Sequence, residues 1–567
     1  MKKRLFLVII IILLLAAIAV GAFFLIKNIK KMGLIDDWEY VPKNEEFEGI
    51  NQKAGGVMVQ SAISTVDDGN IGFTAGGAQN VDNFRENIEN NYFPTFTDIT
   101  YNGLFSEYYF DLSKEGENKK DEMFYPTYSM AVSKDPISGD LEKYISVGLN
   151  SNIKEEDFKR EKLNLVIVLD ISGSMGSSMT NYYYDYNQEK EEYKSKMKVA
   201  EKCINNLLDK LNEDDRLGIV LFDNEAYLGK KIRIVKETDI EAIKGHILEI
   251  EDAGGTNFSA GYEMGTDLYK DYINEEGYQN RIIFITDAMP NIGDTDSDSL
   301  LNKMKKNAEK GIFTTFIGVG VDFNTKVIEK ITNVEGANYY AVHSSEEFNK
   351  ILVEEFDYMV TPMVFDLDFE VESEKYEIEA IYGTDSGDKS SGNIMHANTL
   401  FPSSSNEKGE VKGGIILLKI KEKDKNSIDN KITLKVSYKD KNNEKHEVKE
   451  EIEFTKEEEN YDNTGIEKGI VLSRYVDMMK NWILYERVEN RTYLITATTG
   501  IICGDYDSRA IEKILGEHER RSTKLSVSEE YKENFKKLKD YMKEEKDKIK
   551  DEDLKKEIKI LEKLIEM

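Results

Sequence analysis

The chain has 567 residues, which is enough for two or three domains with full-sized cores. Its 107 acidic residues outnumber its 76 lysines and arginines, and the resulting net charge of -31 argues against a nucleic-acid partner, because phosphate binding needs a basic surface. The two cysteines, Cys203 and Cys503, exclude a cysteine-based zinc cluster and a disulfide framework.

The N-terminal segment predicts a membrane anchor within residues 1–31. Basic residues at positions 2–4 precede an uncharged, mostly aliphatic run over residues 5–26, which is long enough to span a bilayer as a helix. A small-residue cleavage site is lacking after this run, so we expect the anchor to stay uncleaved. The slight excess of positive charge before the run predicts an extracytoplasmic body on a single-pass anchor in the cell membrane.

The next two segments differ in pattern. Residues 32–80 have several glycines and little hydrophobic periodicity, and we interpret them as a stalk or flexible lead-in. Residues 81–160 form a β-rich region with strand-like runs at 123–132 and 144–149.

Residues 161–360 alternate between strands and amphipathic helices. Nearly continuous apolar runs, typical of strands buried on both faces, lie at residues 163–169, 217–222, 282–285 and 312–319. Helical sequence separates these runs, and a last helix is predicted from about residue 346 to 358. This alternation predicts an α/β domain with a doubly wound, mostly parallel sheet.

The pattern changes again after Pro362. Residues 361–460 show period-two alternation, for example at 365–371 and 432–438, which predicts an antiparallel β-sandwich region. Our hypothesis is that strands before Leu163 join this sheet, so that the α/β domain is an insertion. Residues 461–567 are predicted to be helical, with a capping box at Ser526 and Glu529. A helical hairpin packed on the body is favoured over a short coiled coil.

Polar side chains follow two of the predicted buried strands and one loop. Asp170, Ser172 and Ser174 form a D-x-S-x-S pattern directly after the first strand, and Asp287 follows the strand at 282–285. Thr256 lies in a Gly-Gly-Thr-Asn loop before a helix. Ligands bind beyond the carboxyl ends of strands in open parallel sheets. Carboxylates, hydroxyls and water suit Mg²⁺, with Mn²⁺ and Ca²⁺ left open.

These five residues resemble the complete metal-ion-dependent adhesion site of von Willebrand factor A-type (VWA) domains. The resemblance covers about residues 160 to 360 and implies that the two serines bind the metal directly. It also implies that the threonine contacts the metal directly or through a water molecule, and that the aspartates contact it mostly through water. Residues 91–112 and 413–415 are similar to bacterial membrane-anchored VWA proteins, which are related to inter-alpha-trypsin-inhibitor heavy-chain-like proteins.

Several signals have a second interpretation. The serines of a lone D-x-S-x-S could serve only as turn or helix caps. A metal site is favoured because the D-x-S-x-S loop, the Thr256 loop and Asp287 each follow a strand or precede a helix as such a site requires. The tyrosines within residues 182–186 either surround a partner's carboxylate or pack on their own domain. A G-x-S-x-G elbow is missing and the five histidines lack zinc-ligand spacing, so we expect a protein that is not an enzyme.

The predicted function is metal-ion-dependent binding of a protein ligand that supplies an Asp or Glu side chain, for adhesion or surface-complex assembly. One alternative is a structural or regulatory subunit of a membrane complex, in which the metal stabilises the fold. A second, less favoured alternative is a hydrolase that uses Mg²⁺ to activate water.

Overall fold

The computed structural model describes sixteen segments of the chain: residues 33–42, 70–78, 81–96, 98–112, 124–178, 195–273, 275–287, 297–320, 334–342, 348–383, 387–388, 394–423, 427, 429–455, 458–489 and 524–567. The predicted anchor, most of the predicted stalk and residues 182–186 lie outside these segments. Within the segments, no helix combines the length and the apolar composition that crossing a membrane requires.

The described elements before residue 160 are mostly strands. They are β1 (Asn70–Ala75), β2 (Gly77–Ala78), α1 (Asp82–Glu89), α2 (Tyr101–Phe105), β3 (Tyr109–Phe110), β4 (Phe124–Lys134) and β5 (Leu141–Lys154). The strands predicted at 123–132 and 144–149 correspond to β4 and β5. Both extend further than the apolar runs because their ends are polar residues that continue the pairing of β4 with β5.

Strands and helices then alternate as predicted. The elements are β6 (Lys162–Asp170), α3 (Lys196–Leu208), β7 (Arg216–Phe222), β8 (Ala226–Ile234), α4 (Ile240–Leu248), α5 (Phe258–Asp267), β9 (Tyr278–Thr286), α6 (Ser297–Ala308), β10 (Ile312–Val319), β11 (Asn338–Val342), a π-helical turn (Lys350–Glu354) and α7 (Phe356–Met359). The predicted last helix is therefore a π-helical turn followed by a short α-helix.

The strands of this α/β domain form one sheet in the order β2-β11-β10-β9-β6-β7-β8. All neighbours pair in parallel except β7 and β8, which are antiparallel. The side chains of β6 are buried on both faces: Leu165 and Ile167 join one apolar cluster, while Val166 and Val168 join another. These pairings confirm the doubly wound, mostly parallel sheet.

The described elements after residue 360 are strands followed by helices: β12 (Val364–Glu372), β13 (Tyr376–Tyr382), β14 (Gly387–Asp388), β15 (Ile394–Ser403), β16 (Val411–Lys412), β17 (Ile415–Glu422), β18 (Lys431–Asp440), β19 (Lys445–Glu453), β20 (Asn460–Tyr461), α8 (Thr464–Glu489), α9 (Glu529–Ile549) and α10 (Lys555–Glu566).

The second large sheet is antiparallel and combines strands from both sides of the α/β domain. Its order is β13-β17-β5-β1-β15-β12-β18-β19, and β4 pairs with the other edge of β5. Strands β1, β4 and β5 precede the α/β domain in sequence, whereas their partners β15 and β17 follow it. The pairing confirms that strands before Leu163 join this sheet and that the segment from β6 to α7 is inserted between its strands. Only β2, at the edge of the α/β sheet, comes from before this segment among the described strands.

The C-terminal helices pack on the body through a shared apolar cluster. Trp482 of α8 is fully buried, with its ring 4.8 Å from Phe93 and 5.7 Å from Phe535. Helix α9 begins after Ser528, whose hydroxyl accepts the backbone N–H of Tyr531. The predicted capping box at Ser526 is therefore wrong by two residues, because Ser528 caps the first turn of α9.

A buried acidic pair between α8 and α9 gives the first prediction. Burial and the neighbouring carboxylate of Glu467 raise the pKa of Glu545 to about 8. Because this pKa is raised above its unfolded value, Glu545 stabilises the fold in acid, and the contribution is lost as pH rises through about 8. The Glu545→Gln variant should therefore lose less stability than wild type between about pH 5 and about pH 9 in thermal unfolding.

The expected difference for Glu545 is on the order of 1 kcal/mol after solvent screening. The exposed neighbour Glu544 supplies the matched control, and Glu544→Gln should follow the wild-type curve. Identical pH profiles for wild type and Glu545→Gln would contradict the prediction.

Residues 33–42, which we name the N-terminal strap, lie along the outer edge of β8. The backbone N–H of Ile35 donates to Glu237 O (2.9 Å), and that of Glu39 donates to Gly229 O (2.8 Å). Gly229 lies nearer than Glu237 to the start of β8, which pairs with the carboxyl end of β7. The strap therefore runs from the amino-terminal edge of the parallel strands toward their carboxyl-terminal edge.

Candidate metal centre

Asp170 ends β6 and is fixed by two hydrogen bonds. Its carboxylate is fully buried, with Oδ1 accepting the N–H of Ser172 (2.8 Å) and Oδ2 accepting the hydroxyl of Thr286 (2.6 Å). The chain then turns through a 3-10 segment, Gly173–Gly176, which keeps the hydroxyl oxygens of Ser172 and Ser174 3.0 Å apart. One tight loop therefore presents two hydroxyls beside a fixed carboxylate.

Asp287 follows β9, the parallel neighbour of β6. Its side chain is buried, and Oδ2 accepts a hydrogen bond from Lys196 Nζ at 3.1 Å. Among the described residues, nothing donates to the buried Asp287 Oδ1. Burial and repulsion from Asp287 raise the pKa of Asp170 to about 7. Two buried carboxylates that repel each other, one with an unsatisfied oxygen, form a pair that a cation would stabilise.

The loop that carries Thr256 is hydrogen-bonded to the loop that carries the serines. Ala253 N–H donates to Ile171 O (2.8 Å), and Gly173 N–H donates to Gly254 O (3.1 Å). Gly254 has a φ of +78°, a conformation that favours glycine. Thr256 itself is buried two residues later, immediately before Asn257 caps helix α5. The structure thus brings the Thr256 loop against the D-x-S-x-S loop.

The five sequence-predicted residues lie at one edge of the α/β sheet. Their side chains offer carboxylate and hydroxyl oxygens, which are the hard ligands that Mg²⁺ and similar cations prefer. These oxygen ligands fit a divalent cation, as does Asp287 Oδ1, which has no hydrogen-bond donor in the described part of the chain. Ser174 is half-buried and Gly173 is exposed, so the loop is accessible from solvent.

Two side chains of the centre were missed by sequence reasoning. Thr286 precedes Asp287, and its hydroxyl holds Asp170 across the two strands. Lys196 begins α3, and its buried ammonium group contacts Asp287. The Thr-Asp sequence at the end of β9 was a usable signal for Thr286. Lys196 gave no such signal, because only the fold brings the start of α3 beside β9.

A second group of possible ligands lies at the turn between β18 and β19. Carboxylate or ring atoms of Asp440, Glu444 and His446 lie within 4.8 Å of one another. The Asp440 carboxylate already accepts backbone N–H groups of Asn442 and Glu444, both at 2.9 Å. This cluster is therefore explained as a turn cap with a neighbouring histidine.

Cys203 packs as a small apolar side chain. It is buried among the apolar residues of α3, and burial raises the pKa of its thiol to about 12. A thiol with a raised pKa and little solvent access is a poor nucleophile.

Comparison with known proteins agrees with the α/β fold and with the resemblance to VWA domains. Residues 165–289 match the family model of the von Willebrand factor type A domain. The uncharacterized protein YfbK of Escherichia coli (strain K12) is 26% identical over 229 residues, which are 40% of this chain and 36% of that protein. Inter-alpha-trypsin inhibitor heavy chain H4 of Homo sapiens is 23% identical over 220 residues, 38% of this chain and 22% of that protein.

The matched regions thus span between about a fifth and about two fifths of these relatives' own lengths. Among solved structures, the von Willebrand factor type A protein from Catenulispora acidiphila is similar with a TM-score of 0.39 and 13% identity. That similarity covers 63% of this chain and 80% of the other.

Proposed function

Because the chain contains a VWA domain, we propose that it binds protein partners through a divalent cation held at the edge of that domain. VWA domains generally mediate protein–protein binding or adhesion, and they are generally not catalytic. In the proposal, the hydroxyls of Ser172, Ser174 and Thr256 face the cation. Asp170 and Asp287 supply negative charge, directly or through water.

The observation that carries this proposal is Asp287 Oδ1, which lacks a hydrogen-bond donor among the described residues. An unpaired, buried carboxylate oxygen costs free energy unless a donor or a cation reaches it. Mg²⁺ is the proposed cation, since it binds through few carboxylates and keeps several waters. Exchange of one such water for the Asp or Glu side chain of a partner would make binding depend on the metal.

The N-terminal strap supports a membrane-anchored arrangement with the metal edge outward. Gly33 lies a few residues after the predicted anchor, and the strap starts at the sheet edge opposite the metal centre. An anchor at residues 1–31 would therefore put that opposite edge next to the membrane. The Ser172 loop would then face away from the membrane, where a partner on another surface can reach it.

A fold-stabilising metal is the second candidate function. The burial of Asp170 and Asp287 favours it, because a cation would offset their repulsion whether or not a partner binds.

Capture of partners with and without chelator separates the two candidates. The full-length chain, immobilised in detergent, is offered extracts from the cell surface in Mg²⁺ or in EDTA. We expect a set of proteins that is retained in Mg²⁺, released by EDTA and absent from the Asp170→Ala variant. Equal retention in EDTA by a still-folded chain would contradict metal-dependent binding and favour the structural metal.

A further inference from the structure

Lys196 is held in a fixed position beside the metal centre. Its side chain is only 3% exposed, and its Nζ donates to Asp287 Oδ2. The backbone N–H of Lys196 donates to Ser177 O (2.9 Å), and the Ser195 side chain caps the same end of α3. The ammonium group is therefore positioned by the loop and helix that surround the centre.

Gly320 leaves the space that the lysine stem occupies. Gly320 follows β10 with a φ of +91°, and a Cβ atom there would lie 2.5 Å from Lys196 Cε. A larger residue at position 320 would displace the lysine stem. The Lys196 stem thus fills a narrow space between the start of α3 and the carboxyl end of β10.

The contact of Lys196 leaves the other oxygen of Asp287 available. The ammonium hydrogen-bonds to Oδ2, whereas Oδ1 is the buried oxygen that lacks a donor among the described residues. Within the described part of the chain, the Lys196 ammonium group donates its side-chain hydrogen bond to Asp287. A cation can therefore approach Oδ1 while the lysine stays on Oδ2.

We propose that Lys196 sets the charge of the metal-loaded centre, weakening its hold on the cation and strengthening its attraction for an anionic group of the partner. This inference rests on the proposed metal-dependent function. The two carboxylates and the lysine together carry one negative charge, so a bound divalent cation leaves the centre with one net positive charge. Without Lys196, the loaded centre would be neutral.

Charge acts strongly at this position because the groups are buried. The interaction of two charges grows as the surroundings become less polar, and Lys196, Asp170 and Asp287 are all nearly inaccessible to solvent. Like-charge repulsion between the ammonium and the cation lowers metal affinity. The same positive charge attracts a carboxylate, so one residue shifts the two affinities in opposite directions.

Calorimetric titration of Mg²⁺ into the full-length chain tests the inference. The variants are Lys196→Met, Lys196→Gln and the control Lys198→Met, which removes an exposed lysine from the same helix. Lys196→Gln preserves hydrogen-bonding capacity without the charge, so it separates the effect of losing the charge from the effect of losing the hydrogen bond. We expect both Lys196 variants to bind Mg²⁺ about tenfold more tightly than wild type and Lys198→Met.

Acetate provides the anionic probe. Titrations in acetate and in chloride at equal ionic strength should show that acetate tightens Mg²⁺ binding to wild type more than to either Lys196 variant. Failure of folded wild type to bind Mg²⁺, Mn²⁺ or Ca²⁺ would overturn the proposed function itself. Wild-type binding with equal affinity in both Lys196 variants would overturn the inference, as would tighter binding with an unchanged effect of acetate.

Discussion

The Asp170→Ala variant is expected to lose Mg²⁺-dependent stabilisation. Binding to the folded state alone stabilises a protein by about 2.7 kcal/mol when the ligand is at about 100 times its dissociation constant. Asp170 lies at the end of the interior strand β6, where it orients the Ser172 backbone and faces Asp287. Loss of the Asp170 carboxylate should remove this stabilisation by Mg²⁺. The measurement is the rise in unfolding temperature when Mg²⁺ is added to chelator-treated protein.

Two further variants make this result specific. Asp170→Asn keeps an oxygen that can accept the Ser172 N–H, so it should remain folded while losing most of the Mg²⁺ response. Asp252 is an exposed carboxylate on the same rim, beside Gly176, and Asp252→Ala should respond to Mg²⁺ as wild type does. An equal Mg²⁺ response in wild type and Asp170→Asn would show that the stabilising site lies elsewhere.

The second large effect is expected from Asp37 in the N-terminal strap. Asp37 Oδ2 accepts hydrogen bonds from Lys230 Nζ (3.3 Å) and Arg233 Nε (2.8 Å) on β8. Lys230 is fully buried, and burial lowers the pKa of its amine to about 8. Removing one partner of a buried ion pair leaves the other charge uncompensated, so Asp37→Ala should cost about 3 kcal/mol in the free energy of unfolding.

Chemical denaturation measures this cost, and the strap offers its own control. Glu39 forms an exposed ion pair with Lys231, and exposed pairs contribute about 0–1 kcal/mol. Glu39→Ala should therefore be nearly neutral. A cost below about 1 kcal/mol for Asp37→Ala would mean that the strap is not held by Lys230.

The sequence predicts strands best where the pattern of apolar residues matches the burial of the strand in the fold. The run at 163–169 is apolar on both faces because β6 is an interior strand, between β9 and β7, and is buried on both faces. Strand β8 was not predicted, since it lies at the sheet edge and carries Lys230, Lys231 and Arg233. An edge strand need not have a continuous apolar pattern, so periodicity alone does not reveal it.

Some residues of the candidate metal centre could likewise be predicted from the sequence, and others could not. Asp170, Ser172 and Ser174 are close in sequence, and the parallel sheet explains how Asp287 comes beside them. The contribution of Lys196 depends on the fold, because Lys196 lies 26 positions after Asp170 and the space at Gly320 comes from a third strand. The spacing of residues in the sequence identifies the oxygen ligands of the metal. The charged side chain beside them, Lys196, is found only from the three-dimensional structure.

The proposed function requires that the folded chain bind a divalent cation at this centre. Calorimetric titration of Mg²⁺ into the chelator-treated, full-length chain measures this without any partner. We expect one binding event per chain that disappears in the Asp170→Ala variant. A folded wild-type chain that takes up neither Mg²⁺, Mn²⁺ nor Ca²⁺ would contradict the metal centre and the function proposed from it.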